Sequence, residues 1–187
     1  MKIAITGNTS GIGLALQNIF AANGHEVFGF SRSSGYDIEN KADRERILNT
    51  ASNCDIFINN AYSPTGQTLL LNELISQWQN SDKSIINLSS KLSFFPKGKI
   101  HQLDHYISEK NKQNDIIQNR ITQAKPKLMN VIIGLVDTPM SKVFTSDKLK
   151  PESLAQLIYN MSVAEDFYIQ QLIVEVPGLD WKNIKGF

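Results

Sequence analysis

Cysteine is nearly absent: Cys54 is the only one in 187 residues. That excludes an intramolecular disulfide framework, and no Cys/His cluster has the spacing of a zinc site. Cys54 stands just before an apolar run and reads as a buried structural thiol. An excess of either charge is missing too. Nineteen Lys and Arg face eighteen Asp and Glu, for a formal net charge of +1. This balance argues against nucleic acid or an anionic membrane as a main partner. The longest apolar run, Val131 to Val136, is far too short to span a bilayer. The first residues lack the apolar stretch of a signal peptide. A soluble, cytoplasmic protein is expected. No internal repeat or low-complexity segment is visible.

The composition itself, 41% hydrophobic and 20% charged, is that of a globular chain. Apolar runs alternate with amphipathic stretches from end to end. Strands are predicted near 2–6, 26–30, 35–38, 55–59, 84–88, 129–134 and 168–175. Helices are predicted near 11–23, 41–52, 66–80, 102–124 and 151–163. Gly24 suits the C-terminal cap of the first helix, and Pro151 with Glu152 suits the first turn of the last. The runs at 55–59, 84–88 and 129–134 show little alternation, as expected of parallel strands covered on both faces. The βαβ rhythm predicts an α/β fold with a doubly wound, mainly parallel sheet and helices on both faces. No domain boundary is visible, so residues 1–187 read as one domain.

The most informative stretch is Ile3-Ala4-Ile5-Thr6-Gly7-Asn8-Thr9-Ser10-Gly11-Ile12-Gly13. A β-branched run ends in a glycine turn, and a helical pattern follows at once. Glycines allow positive φ and close approach of a pyrophosphate, and the helix N-terminus offers free N–H groups to it. Thr6, Gly7, Asn8, Thr9, Ser10, Gly11, Ile12 and Gly13 are therefore candidates for binding a dinucleotide. The spacing G-x-x-x-G-x-G is not the commoner G-x-G-x-x-G, and a plain strand–turn–helix would give a similar string.

The second strand ends in Ser31-Arg32-Ser33, with no acid at 31 or 32. An acid there would hold a ribose 2′-hydroxyl, whereas a guanidinium can grip a 2′-phosphate. Ser31, Arg32 and Ser33 thus point to NADP(H) in preference to NAD(H); the plainer alternative is a solvated turn arginine. Asp37, with Ile38 beside it, suits the adenine edge of the cofactor, or else Asp37 caps the next helix.

Further motifs follow in order: Ile58-Asn59-Asn60-Ala61, Ile85-Ile86-Asn87-Leu88-Ser89-Ser90, Tyr106-Ile107-Ser108-Glu109-Lys110 and Gly134-Leu135-Val136-Asp137-Thr138-Pro139-Met140. With the glycine loop, this series resembles the short-chain dehydrogenases/reductases over nearly the whole chain. The resemblance implies a seven-stranded Rossmann-like sheet and a nicotinamide cofactor. It implies a catalytic Tyr106 with Lys110 one turn on, and Ser90 as partner of the substrate oxygen. Asn60, Ala61 and Tyr62 would lie at the cofactor, as would Tyr106 and Lys110 themselves. Thr138 would stand beside the nicotinamide end, with Gly134 and Val136 of the same motif among the cofactor-binding residues. Small carbonyl or alcohol substrates and a homodimer or homotetramer are implied as well.

Physical logic runs alongside. Positions 106 and 110 share one helix face. Lowering a tyrosine from near 10 to about 7 needs roughly 4 kcal/mol. A cation about 4 Å away at an effective dielectric of about 20 supplies that much. Tyr106 would then act as general acid or base, with Ser90 bonding the reacting oxygen. Ser93 rivals Ser90, since it lies nearer Tyr106 in sequence; Ser90 is preferred because it directly follows the Ile-Asn-Leu-Ser strand.

The chain also departs from the family. It is shorter, and the helix between the second and third strands is missing. Tyr62 replaces a glycine, Ile133 replaces a proline, and the loop from Ser141 to Lys150 is short. The family's asparagine in the following helix has no secure counterpart, Asn72 falling too late. Phe94 and Phe95 read as packing or as pocket, His101 and His105 as solvated or capping, and Trp78 and Trp181 as core or interface. The tail from Asp180 to Phe187 resembles segments that pack on a neighbouring subunit. These departures leave a second reading, an NADP(H)-binding sensor or subunit without turnover.

Overall fold

A βαβ unit opens the chain: β1 (Lys2–Thr6), α1 (Gly11–Ala22) and β2 (Glu26–Phe30). The computed structural model describes residues 1–96, 101–120, 122–123 and 125–179, and of His101 the backbone only. There follow α2 (Lys41–Ala51), β3 (Ile56–Asn59), α3 (Gly66–Trp78), β4 (Ser84–Ser90) and α4 (Asp104–Gln118). The last elements are β5 (Lys127–Ile133), α5 (Pro151–Ser162) and β6 (Gln171–Val174). All strand pairs are parallel, in the order β2-β1-β3-β4-β5-β6.

The sheet buries both faces, which is why its central strands are mainly apolar. On one face Ile3, Ile5, Ile58, Ile86 and Val131 pack under α1 and α5, with Leu16, Phe20 and Ile158. On the other, Ala4, Phe57, Ile85 and Leu128 pack under α2, α3 and α4, with Ile47, Leu71, Leu74 and Ile117. Trp78 belongs to this second core, 2% exposed and edge-on to Phe57. Cys54 is a buried free thiol there, as its sequence position implies.

The strand count is a correction: the sheet has six strands, not seven. The strand expected over 35–38 does not form. A 3₁₀ turn at Arg32–Ser34 ends in Gly35 at φ +82°, and the Tyr36 N–H turns back to the Ser31 carbonyl. The carbonyls of Ile38 and Glu39 accept from the buried Arg44 guanidinium at 2.9 and 3.0 Å. With its polar groups engaged elsewhere, this segment cannot extend the ladder beyond β2. The helix predicted over 102–124 is also shorter, because a 3₁₀ turn precedes it and Asn119 caps it.

The glycine loop is fixed by close approach. Gly7 and Gly11 have φ of +71° and +51°. A Cβ at Gly13 would lie 2.1 Å from the Gly7 carbonyl oxygen, so α1 can start this near the loop only without a side chain. Gly13→Ala is expected to destabilise the chain by about 1–3 kcal/mol, read from the urea midpoint. Gly24, which has open space around it but φ +78°, is expected to lose only about 1–2 kcal/mol as alanine.

Candidate active site

The C-terminal ends of β1, β2, β3, β4 and β5 surround a cavity of about 690 Å³. In open parallel sheets, ligands bind at this end. The floor comes from Gly7, Thr9, Ser10, Gly11 and Ile12, at the start of α1. Ser31, Arg32, Ser33, Asp37 and Ile38 line the side beyond β2, and Asn60, Ala61 and Tyr62 line the middle. Tyr106, Lys110 and Thr138 close the far end.

Other expected residues stand behind this wall rather than in it. The Thr6 hydroxyl accepts from the backbone N–H groups of Asn60 and Ala61, both at 3.0 Å, and so ties β1 to the loop after β3. The Asn60 amide returns a bond to the Thr6 carbonyl at 2.8 Å. Asn8 turns away from the cavity, donating to Gln17 at 2.6 Å and packing against Gly29. Gly13 serves the close approach already described. Gly134 lets the end of β5 pass Glu175, and Val136 is core. Ile133, not Gly134, faces the cavity.

On the β2 side, Arg32 is exposed and makes no ion pair among the described residues. Ser31 hydrogen-bonds Ser33 and Ser34, each at 2.9 Å. The Asp37 carboxylate lines the cavity and also accepts from the Glu39 N–H at 3.0 Å, so it closes a turn of its own loop. Glu39, which sequence reasoning missed, caps α3. It accepts from the Thr65 and Gly66 N–H groups at 2.7 and 2.9 Å, and from the Thr65 hydroxyl at 2.8 Å. Partial burial opposes its ionisation, but these donors outweigh it and bring the carboxyl down to about 2. No local pattern betrays this contact, since its partners lie 26 and 27 residues away.

At the far end, α4 brings Tyr106 and Lys110 to one face. The Ser90 side chain favours the ionised form of the Tyr106 phenol, and its Oγ accepts from the Leu92 N–H at 3.2 Å. Ser93 is engaged elsewhere, accepting from Asn114 at 2.9 Å. Tyr62 packs edge-on against Tyr106 with ring centroids 4.8 Å apart. Lys110 is 3% exposed, and its Nζ lies 5.6 and 6.0 Å from the centroids of the Tyr106 and Tyr62 rings. Its ammonium donates to Gln67 Oε1 at 2.7 Å, the Leu88 carbonyl at 2.9 Å and Gln113 Oε1 at 3.5 Å.

The electrostatics differ from the sequence-based expectation. Burial raises the Tyr106 phenol above its usual range; the Ser90 hydrogen bond opposes this and Tyr62 adds to it. Burial likewise lowers Lys110, to about 7. The lysine spends its donors on neutral carbonyls, and burial outweighs any pull on the tyrosine.

Beneath Lys110 lies a polar network that local sequence spacing did not reveal. Asn59, Asn87 and Asn130 occupy matching register on β3, β4 and β5. Each is buried, and each donates to the next: Asn59 to Asn87 at 3.0 Å, Asn87 to Asn130 at 3.1 Å, and Asn130 to Asn114 at 2.9 Å. Gln113 donates to Thr68 at 3.2 Å, and Thr68 to the buried Glu109 at 2.8 Å.

Phe94 is 54% exposed, so it is not core packing. The remainder of the loop at 97–100, the His101 side chain, Trp181 and the tail from 180 lie outside the described residues. Among the described residues no helix is long and apolar enough to cross a membrane, and no cluster of His, Cys, Asp and Glu could hold a metal ion.

No known family profile matches the chain, and no curated protein matches it in sequence. Solved structures do. A short chain dehydrogenase from Burkholderia cenocepacia, in complex with NADP, superposes with a TM-score of 0.77 at 16% identity, covering 92% of this chain and 86% of that one. A serine dehydrogenase complexed with NADP+ gives 0.76 at 18%, covering 96% and 98%. The 3-alpha-hydroxysteroid dehydrogenase from Pseudomonas sp., complexed with NADH, gives 0.72 at 18%, covering 93% and 95%. The chain has the fold of these short-chain dehydrogenases.

Glu39 supplies a test of the site's frame. Its folded-state value lies below the ordinary 4.5, so its contribution is whole above about pH 4.5 and is lost as pH falls through about 2. Glu39→Gln is expected to lower Tm at pH 7, with a deficit that shrinks below pH 4.5 and closes near pH 2. Thermal melts across that range check it; a constant deficit would mean that the carboxylate's charge is not what holds α3.

Proposed function

We propose that this chain is a shortened short-chain dehydrogenase/reductase that acts as an NADP-dependent oxidoreductase on a small carbonyl or alcohol substrate. One observation carries the reading. A single cavity is bounded by a glycine loop at a helix N-terminus, by Arg32 and its serines, and by the Tyr106–Lys110 face with Ser90 behind it. Proteins of the same fold are described in complex with NADP and with NADH, which supports a nicotinamide dinucleotide as the cofactor and leaves the preference to Arg32.

The residues present fit such a cofactor. Gly7 and Gly11 turn the chain through positive φ into the start of α1, whose N-terminus faces the cavity, and Gly13 brings the helix start close. The Thr9–Ile12 loop would hold the pyrophosphate, Ser31, Arg32 and Ser33 a 2′-phosphate, and Thr138 the nicotinamide end. When bound, the nicotinamide supplies or accepts the hydride. The protein's part is proton transfer and position. The Tyr106 phenol, kept protonated at neutral pH by burial, donates to the reacting oxygen in reduction. The Ser90 hydroxyl, which favours the ionised phenol, bonds the same oxygen as charge develops. Lys110 adds positive charge beside the tyrosine ring. A cytoplasmic homodimer or homotetramer completes the proposal, without nucleic acid or membrane as a partner.

A specific observation favours a second reading, a dinucleotide binder without turnover. Tyr62 packs against Tyr106, and all three Lys110 donors face the interior.

Two outcomes are expected. Arg32→Ala should weaken NADPH binding roughly ten- to a hundredfold, the loss of one charge-assisted contact of about 1.5–3 kcal/mol, and leave NADH nearly unchanged by calorimetry. Equal losses for both would refute the preference. Tyr106→Phe should abolish NADPH oxidation with aldehydes, ketones or quinones while cofactor binding survives. Tight NADPH binding by the wild type with no turnover on any of them would select the second reading.

A further inference from the structure

We propose that Gln67 is a positioning residue for Lys110: its carboxamide oxygen, in place of a carboxylate, aims the lysine head and sets the charge it presents to Tyr106. The inference rests on the assignment of Lys110 to the site made above.

The geometry leaves little freedom. Gln67 is fully buried at the first turn of α3. Its Nε2 donates to the Asn59 carbonyl at 2.9 Å and to the Leu88 carbonyl at 3.2 Å. With both amide donors engaged, Oε1 must face the other way, and there Lys110 Nζ stands at 2.7 Å. The same Leu88 carbonyl accepts from Lys110 at 2.9 Å. Gln67 and Lys110 are therefore fixed against one strand carbonyl, and the lysine cannot turn without breaking both. Gln113 Oε1, at 3.5 Å, is a longer third contact.

Among the described residues, no anion makes a hydrogen bond to the ammonium. The titratable groups around it are Tyr106 on its own helix and Tyr62 on the loop after β3. Glu109 precedes Lys110, but its oxygens are taken by Thr68 and Lys112. From α3 and β4 only neutral groups face the lysine: Gln67 and the Leu88 carbonyl. A neutral acceptor supports a buried ammonium weakly, in keeping with a lysine brought down to about 7. A carboxylate at the same place would hold the cation through the whole neutral range. Gln67 thus keeps Lys110 able to gain and lose its proton at neutral pH while its direction stays fixed.

The test uses the full chain labelled with ¹³C at the lysine ε carbon, with Lys110 assigned by loss of its signal in Lys110→Arg. The Lys110 midpoint is followed by NMR in the wild type, in Gln67→Glu and in Gln67→Met. The glutamate is expected to raise the midpoint by about one unit or more, and the methionine, which removes the acceptor, to lower it. The pH profile of NADPH-dependent turnover should move in the same directions. Unmoved midpoints in both variants would overturn the proposal. If Gln67→Met does not fold, the glutamate variant decides alone: an upward shift supports the proposal and an unshifted midpoint overturns it. Because the NMR titration needs no substrate, a chain without turnover would refute the oxidoreductase reading and leave this result standing.

Discussion

The cavity end of the sheet hangs on a file of buried side-chain amides. Asn59, Asn87 and Asn130 sit side by side on three adjacent strands, each donating to the next, and the file ends on Asn114 of α4. Burying such groups is costly unless every one is paired, and removing a partner costs about 1–3 kcal/mol for each group left unsatisfied. The amides therefore act as a unit. They lock the strands in the register that the apolar residues alone would tolerate slipping, and they join β3, β4 and β5 to α4. Because α4 carries Tyr106 and Lys110, the register of the sheet and the position of the site become one constraint.

That constraint explains how a lysine can be buried here. An isolated ammonium in an apolar core would be expelled or neutralised. The amide file instead brings carbonyl oxygens from Gln67, Gln113 and Leu88 to it. These oxygens satisfy its donors without cancelling its charge, so burial still lowers it to about 7. Tyr106, partly buried at the edge of the same region, moves the opposite way because its charged form is the anion. Both shifts favour the neutral groups. Burial thus works against the ion pair that a simple Tyr-x-x-x-Lys spacing implies.

Much of the fold was legible because it follows from periodicity. The strands at 2–6 and 26–30 form where apolar, β-branched runs end at turn residues, and the helices begin where glycine, Asn40 or Pro151 allows them to. The failure at 35–38 has a local cause. Tyr36 and Ile38 have strand-forming side chains, yet Gly35 and the Arg44 guanidinium take the backbone groups that a strand would need. At the site, the Tyr106–Lys110 pair and the glycine loop could be read from spacing along the chain. Gln67, Gln113, Glu39 and the asparagine file could not. Most of their partners lie from eight to more than forty residues away, and a polar residue inside an apolar strand looks like an interruption until its neighbour on the next strand is known.

The shortened link after β2 shows the same economy in another form. With no strand or helix inserted, the segment from Ser31 to Asn40 has to cross the end of the sheet alone. Two of its anchors tie it to the helices around the cavity. Arg44, buried and paired with Glu73, fixes the carbonyls at 38 and 39. The Glu39 side chain then reaches over to cap α3. A negative charge at a helix N-terminus is favourable, and here it also closes the cavity wall between the β2 side and the loop carrying Tyr62. Glu39 is thus mechanically continuous with the other half of the site, since the helix it caps carries Gln67 in its first turn. The Arg32 side and the Lys110 side are two ends of one braced structure: the carboxylate fixes where α3 begins, and the second residue of α3 fixes where the lysine points.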